Sequence, residues 1–195
     1  MRLNAKRLMD LALAILATGF LLVPAIVVAL LVRWTSPGPV LYWSDRVGQY
    51  NRIFRMPKFR SMRINTPAVA THMLDNPASY LTPIGSFLRK SSLDEIPQLW
   101  SILVGDMSFV GPRPALFNQY DLIELRTRHG VHELVPGLTG WAQINGSRGP
   151  CHTPDEVRER VRLDMDYVKR ASIWLDAGIV VMTIPRLLGD KQRCR

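Results

Sequence analysis

Residues 11–32 read LALAILATGFLLVPAIVVALLV, an apolar run without a single charge. As one straight helix it would be about 33 Å long against a hydrocarbon core of about 30 Å, which is enough to cross a bilayer. Arg2, Lys6, Arg7 and Asp10 lie on one side and Arg33 and Trp34 on the other, so cations and an interfacial aromatic bracket the run. A cleaved signal peptide fits poorly. The run exceeds the usual apolar length of about 7 to 15 residues, an acid precedes it and no small-x-small site follows. Pro24, just past the middle, removes a backbone N–H and bends a helix. Two geometries remain: a kinked span, which periodicity alone favours, and a shallow re-entrant helix–break–helix whose two ends emerge on one face. A lone span would leave the freed carbonyl without a partner in lipid.

Composition narrows the partners. The 195-residue chain has 25 Lys+Arg against 16 Asp+Glu, net +9, with 47% hydrophobic residues and two cysteines. Wholesale disorder and a disulfide-stapled miniprotein are excluded, and a reducing compartment fits. The surplus of cations points to anionic partners: nucleic acid, lipid headgroups or phosphorylated small molecules. Residues 34–195 carry 21 basic and 15 acidic residues, a charge pattern suited to a domain lying against an anionic leaflet.

Past the hinge Ser36-Pro-Gly-Pro39, a hairpin is expected from Val40, with its turn near Gly48 and a return strand carrying Ile53, Phe54, Met56 and Phe59. Six basic residues, Arg46, Arg52, Arg55, Lys58, Arg60 and Arg63, crowd this stretch. They read equally as a guarded edge strand or as a phosphate-facing surface. Thr82-Pro83 predicts the start of a short helix ending near Lys90, and Leu93, Ile96, Leu99, Trp100 and Leu103 predict another, stopped by Gly105-Asp106. A strand over 107–110 feeds the loop Gly111-Pro-Arg-Pro114, a helix covers 115–128, and a loop-rich span follows. Thr153-Pro-Asp-Glu156 is a capping box opening a helix to about Arg170, and an apolar last helix with Pro185 belongs to the core or the membrane interface.

Asp94-Glu95 stands where a helix begins. Ser92 with Glu95 fits a capping box, yet Pro97 conflicts with that register, and Asp94 serves equally as the N-cap. In both registers the helix end is expected to lower the two pKa values and keep both carboxylates ionised, fit for metal binding or nucleophilic attack. Gly111-Pro-Arg-Pro114 holds Arg113 between two prolines, either as a plain turn or as a pre-ordered grip on an oxyanion. Other motifs fail. Asp164-Met-Asp166 falls inside a helix, where residues two apart face differently; His129 and His132 lack a second ligand pair; and neither nucleotide-binding glycine loop occurs. The aromatics are dispersed rather than interleaved with the basic run, so no nucleic acid partner is expected.

Taken in order, Ser36-Pro-Gly-Pro39, Pro57-Lys-Phe-Arg-Ser-Met62, Leu93-Asp-Glu-Ile-Pro-Gln-Leu99, Gly105-Asp-Met-Ser-Phe-Val-Gly-Pro-Arg-Pro114 and Pro136-Gly-Leu-Thr-Gly-Trp-Ala-Gln-Ile-Asn-Gly146 closely resemble the monotopic phosphoglycosyl transferases, or bacterial sugar transferases. The resemblance covers nearly the whole chain, through Tyr167-Val168 and Trp174-Leu-Asp176, in the family's short form. It implies a mainly helical α+β fold: a re-entrant membrane hairpin over 1–36, broken at Pro24, and a small cytoplasmic catalytic domain over 37–195 with short strands and interfacial amphipathic helices. It further implies transfer of a sugar 1-phosphate from a UDP-sugar to undecaprenyl phosphate, with UMP released, at the cytoplasmic face of a bacterial inner membrane and in contact with phospholipid. By that resemblance Asp94 is the nucleophile and a ligand of Mg2+, and Glu95 handles metal or proton. Lys58, Arg60, Pro112 and Arg113 match positions around the diphosphate and nucleotide. Where many relatives read Asn-Gly-Arg this chain reads Asn145-Gly-Ser-Arg148, which displaces Arg148 by one. A non-catalytic, membrane-anchored binder of anionic ligands is the reading from another class, in which Asp94 is dispensable.

Overall fold

In a computed structural model of the chain, residues 5–67, 76–147, 149, 151 and 153–189 are described, with side chains to 185. Among these residues the fold is mainly helical with four short strands. Helix α1 (Ala5–Thr35) is the long apolar element, long enough by length and composition to cross a membrane. Its helical structure runs on through Pro24. The expected helix–break–helix corresponds to one helical element that contains Pro24, whose ring removes a single bond, to the Phe20 carbonyl.

One face of α1 lies on the rest of the chain along its whole length. Asp10, Ala14, Val28 and Val32 are buried, and Ala17, Leu21, Ala25 and Ala29 are packed between them. The steps of three and four residues trace one side of a helix, and the alanines let the backbone approach closely. The opposite face is apolar and bare: Phe20 is 84% exposed and Trp34 75%.

Strands β1 (Leu41–Val47) and β2 (Ile53–Phe59) form the expected antiparallel hairpin, with Lys58 opposite Tyr42. Helix α2 (Gly85–Ser91) starts two residues later than Thr82-Pro83 predicted, because Thr82 spends its carbonyl on Gly85 N–H and its hydroxyl on the Ser61 carbonyl. A 3-10 turn (Leu93–Gln98) and α3 (Leu99–Val104) replace the single helix predicted there. Met56, Leu99, Ile102 and Met107 close the core against Ala14, and Phe59 and Leu88 close it against Val28 and Val32.

Strand β3 (Ser108–Val110) pairs in parallel with β4 (Gly137–Thr139), a strand inside the span read as loop. Gly111, Gly137 and Gly140 interlock here, and a Cβ on any of them would collide with the facing backbone. Helix α4 (Tyr120–Arg128) begins five residues later than expected, after a turn closed by Gln119 on Leu116 N–H. Short α5 (Trp141–Ile144) precedes α6 (Pro154–Arg170), whose capping box is formed as predicted, with Thr153 and Glu156 bonded reciprocally. Helix α7 (Ile173–Gly189) buries Ile179 and Asp176 while Trp174, Val181 and Ile184 face outward. It therefore joins the core on one side and presents a second bare apolar surface on the other.

Candidate active site

The Asp94-Glu95 turn is made by an unusual backbone. Ser92 is left-handed, with φ of +59°, and makes no side-chain cap. A non-glycine residue held there costs of order 1 to 3 kcal/mol, a strain that concentrates at functional sites. The capping-box reading of Ser92 fails for this reason, since an N-cap needs an extended backbone. Glu95 N–H instead bonds the Ser92 carbonyl at 3.1 Å, and the 3-10 turn accommodates Pro97.

Three elements converge on the two carboxylates. From β2, Lys58 Nζ donates to Glu95 Oε1 at 3.0 Å; from the loop after β3, Arg113 Nη2 donates to the same oxygen at 3.2 Å. Glu95 Oε2 has neither cation. Asp94 is buried and takes no side-chain hydrogen bond or ion pair among the described residues. Arg46, from β1, adds a third cation beside Arg113; its guanidinium is held by Ser44 Oγ at 3.0 Å and the Pro114 carbonyl at 3.3 Å.

The two neighbours titrate oppositely. Burial pushes the Asp94 carboxyl up to about 6; the Lys58 charge opposes this rise and the Glu95 charge adds to it. Burial works against Glu95 as well, but Lys58 and Arg113 together hold it well below the ordinary carboxylate range. The sequence expectation that a helix end lowers both is thus corrected for Asp94: the turn is 3-10 rather than an α-helical N-terminus, and desolvation dominates. Burial also lowers Lys58, with Glu95 pulling it back up, and brings Arg46 down to about 10, with Arg113 adding to the fall.

Pro112 is buried, and its carbonyl accepts Gly137 N–H at 2.9 Å, which fastens the arginine loop to β4. Arg113 in turn gives its carbonyl to Arg126 Nη1 at 2.8 Å. Arg60 is not brought to the carboxylates: it is buried, and its guanidinium donates to the Ser36 and Pro37 carbonyls, tying down the hinge after α1. Arg148 lies outside the described residues. Arg46 is one of six basic residues in the hairpin and no motif singles it out; its alternation with buried Ser44 along β1 is the one sequence signal of its placement.

Two carboxylates with one unpaired oxygen set suit a hard divalent cation, which binds through one or two carboxylates and completes its shell with substrate phosphates. Among the described residues no group of three or more acidic, histidine or cysteine side chains gathers here or elsewhere, so the two carboxylates could supply only part of a cation's shell. The arrangement is thus a half-buried, cation-rich cluster around a carboxylate that has no ion-pair partner among the described residues, and its charge suits an anionic ligand.

Comparison with known proteins places the chain in a family. Residues 1–190 match the family model described as bacterial sugar transferase, and the chain belongs to that family. It is 42% identical over 190 residues to a UDP-glucose:undecaprenyl-phosphate glucose-1-phosphate transferase of Xanthomonas campestris pv. campestris, covering 96% of this chain and 39% of that protein. A protein of the same description from Escherichia coli is 41% identical over 187 residues, covering 92% of this chain and 39% of the relative. A UDP-N-acetylgalactosamine-undecaprenyl-phosphate N-acetylgalactosaminephosphotransferase of Aeromonas hydrophila is 37% identical over 186 residues, covering 94% and 43%. The chain spans about two-fifths of the length of these relatives.

Proposed function

We propose that the chain is a membrane-embedded phosphoglycosyl transferase that moves a sugar 1-phosphate from a UDP-sugar to undecaprenyl phosphate and releases UMP. The observation that carries this is the unpaired, buried carboxylate of Asp94 beside a Glu95 already neutralised by Lys58 and Arg113. Asp94 attacks the β-phosphorus of the donor. An Asp94 Oδ–P bond forms, the bond from that phosphorus to the bridging oxygen breaks, and UMP leaves with the electron pair. A phosphate oxygen of the polyprenol then attacks the same phosphorus and returns Asp94 to its carboxylate. Two polyanions never need to meet directly, which removes their repulsion from both transition states. Lys58, Arg113 and Arg46 offset the phosphate charge. Asp94 and Glu95 Oε2 would hold Mg2+, which supplies Lewis-acid stabilisation of the diphosphate when bound.

The placement of α1 supports a re-entrant topology. At its start Lys6, Arg7 and Asp10 bond to α7, α3 and β3; at its end Val32 packs on Phe59 and the hinge is held by Arg60. A helix whose two ends grip one domain presents its bare apolar face to lipid and brings both ends out on the same side, here the cytoplasmic face of an inner membrane. That geometry keeps Asp94 near the headgroups, where a polyprenol phosphate lies, and suits the first membrane step of glycan assembly. The test is UMP release from a panel of UDP-sugars with Mg2+ and undecaprenyl phosphate, for wild type and Asp94→Asn. Release by wild type alone, with one or two sugars, supports the reading; none from folded wild type with any sugar contradicts it.

A further inference from the structure

The three residues of β3 lead straight into the Arg113 loop, and each is held by a charged side chain from the first turns of α1. Asp10 Oδ1 accepts both Ser108 Oγ–H and Phe109 N–H at 3.0 Å. Lys6 Nζ donates to the Val110 carbonyl at 2.9 Å and pairs with Asp176 Oδ2 at 2.5 Å, while Tyr167 O–H donates to Asp176 Oδ1 at 2.6 Å. Asp10, Ser108, Val110, Tyr167 and Asp176 are all buried. Apolar residues of similar volume would hold a helix there at no desolvation cost, so an ionic cluster is a poor device for stability and a good one for fixing a register. The register fixed is that of the strand whose next turn carries Arg113 to Glu95.

We propose that Asp10 is a positioning residue for the phosphate chemistry: from the membrane helix it fixes β3, and through β3 it fixes the approach of Arg113 to Glu95. This rests on the site reading above. Both bonds to Asp10 fall on one oxygen, so an amide carbonyl can replace it and a methyl cannot.

The experiment compares Asp10→Ala, Asp10→Asn, Ser108→Ala, Arg113→Ala and the Asp10→Ala/Arg113→Ala double variant of the full chain in nanodiscs, by UMP release across pH and by hydrogen exchange. A misplacement of this kind costs up to about 100-fold in kcat/KM for Asp10→Ala, and Asp10→Asn is expected within about threefold of wild type. The double variant is expected to be no worse than Arg113→Ala alone, because one effect acts through the other. Faster exchange confined to residues 108–113 is expected in Asp10→Ala, and in weaker form in Ser108→Ala, which serves if Asp10→Ala does not fold. Additive losses, an Asp10→Asn as poor as Asp10→Ala, or loosening spread over the whole domain overturns the proposal. If wild type releases no UMP, the site reading fails, and the exchange pattern alone decides whether Asp10 holds β3.

Discussion

Two clusters of carboxylate and cation sit within the same small domain and are built to opposite rules. Arg126 and Asp164 form a closed pair: the guanidinium donates through Nε at 3.0 Å and Nη2 at 2.7 Å to one carboxylate oxygen, both side chains are buried, and one charge answers one charge. Around Asp94 and Glu95 the balance is left open. Lys58, Arg113 and Arg46 outnumber the charge that Glu95 answers, Asp94 has no ion-pair partner among the described residues, and Arg113 remains about one-third exposed at 32%. A closed pair fixes structure. An open cluster carries a surplus of positive charge that only an incoming anion satisfies, and it leaves a carboxylate whose burial raises its energy.

Breaking each cluster should therefore give opposite signatures. The largest effect is expected for Asp94→Asn, with turnover down by about 10,000-fold or more, as for loss of a nucleophile. Stability should move the other way. The folded pKa of Asp94, about 6, lies above that of an unfolded aspartate, so its contribution to stability is full below about pH 4 and is lost as pH rises through 6. At pH 8 the ionised group opposes folding, and Asp94→Asn is expected to raise stability by of order 1 to 2 kcal/mol in a denaturation titration. Asp164→Ala is expected to do the reverse, costing about 3 to 5 kcal/mol by stranding the buried Arg126 guanidinium. If Asp164→Ala unfolds no more easily than wild type, the contrast between the clusters is lost.

Smaller effects sharpen the comparison. In the proposed mechanism only the ionised form of Asp94 attacks, so kcat/KM for the donor is expected to rise with pH through about 6 and level off above it. Removing the neighbouring charge with Glu95→Gln takes away one cause of the raised value, and the acid limb should move to lower pH even as overall activity falls. A limb that stays in place would separate Glu95 from the titration of its neighbour.

The local signals in the sequence carried much of this. The capping box at Thr153 placed α6, the hinge before Val40 and the turn near Gly48 placed the β1–β2 hairpin, and the uncharged run placed α1. What escaped is non-local. Strand β4 has three residues and exists only because β3 lies beside it in parallel, a pairing no window of Pro136-Gly-Leu-Thr reveals. Arg60 and Lys58 stand two residues apart in one basic run, yet the register sends one to a backbone hinge and the other to Glu95. Lys6 and Asp10 read as membrane flanks because their partners, Asp176 and Ser108, lie 170 and 98 residues away. The titration of Asp94 followed from burial, which composition does not encode.

In the proposed mechanism Asp94 takes up a sugar phosphate covalently from the donor. The direct measurement is the intact mass of the enzyme after incubation with a UDP-sugar and Mg2+ without polyprenol phosphate, followed by mapping of the modified peptide. One sugar phosphate per chain on Asp94, stoichiometric UMP, and discharge when undecaprenyl phosphate is added are expected. Turnover by an enzyme that carries no adduct at any time, or an adduct that persists in Asp94→Asn, would contradict it.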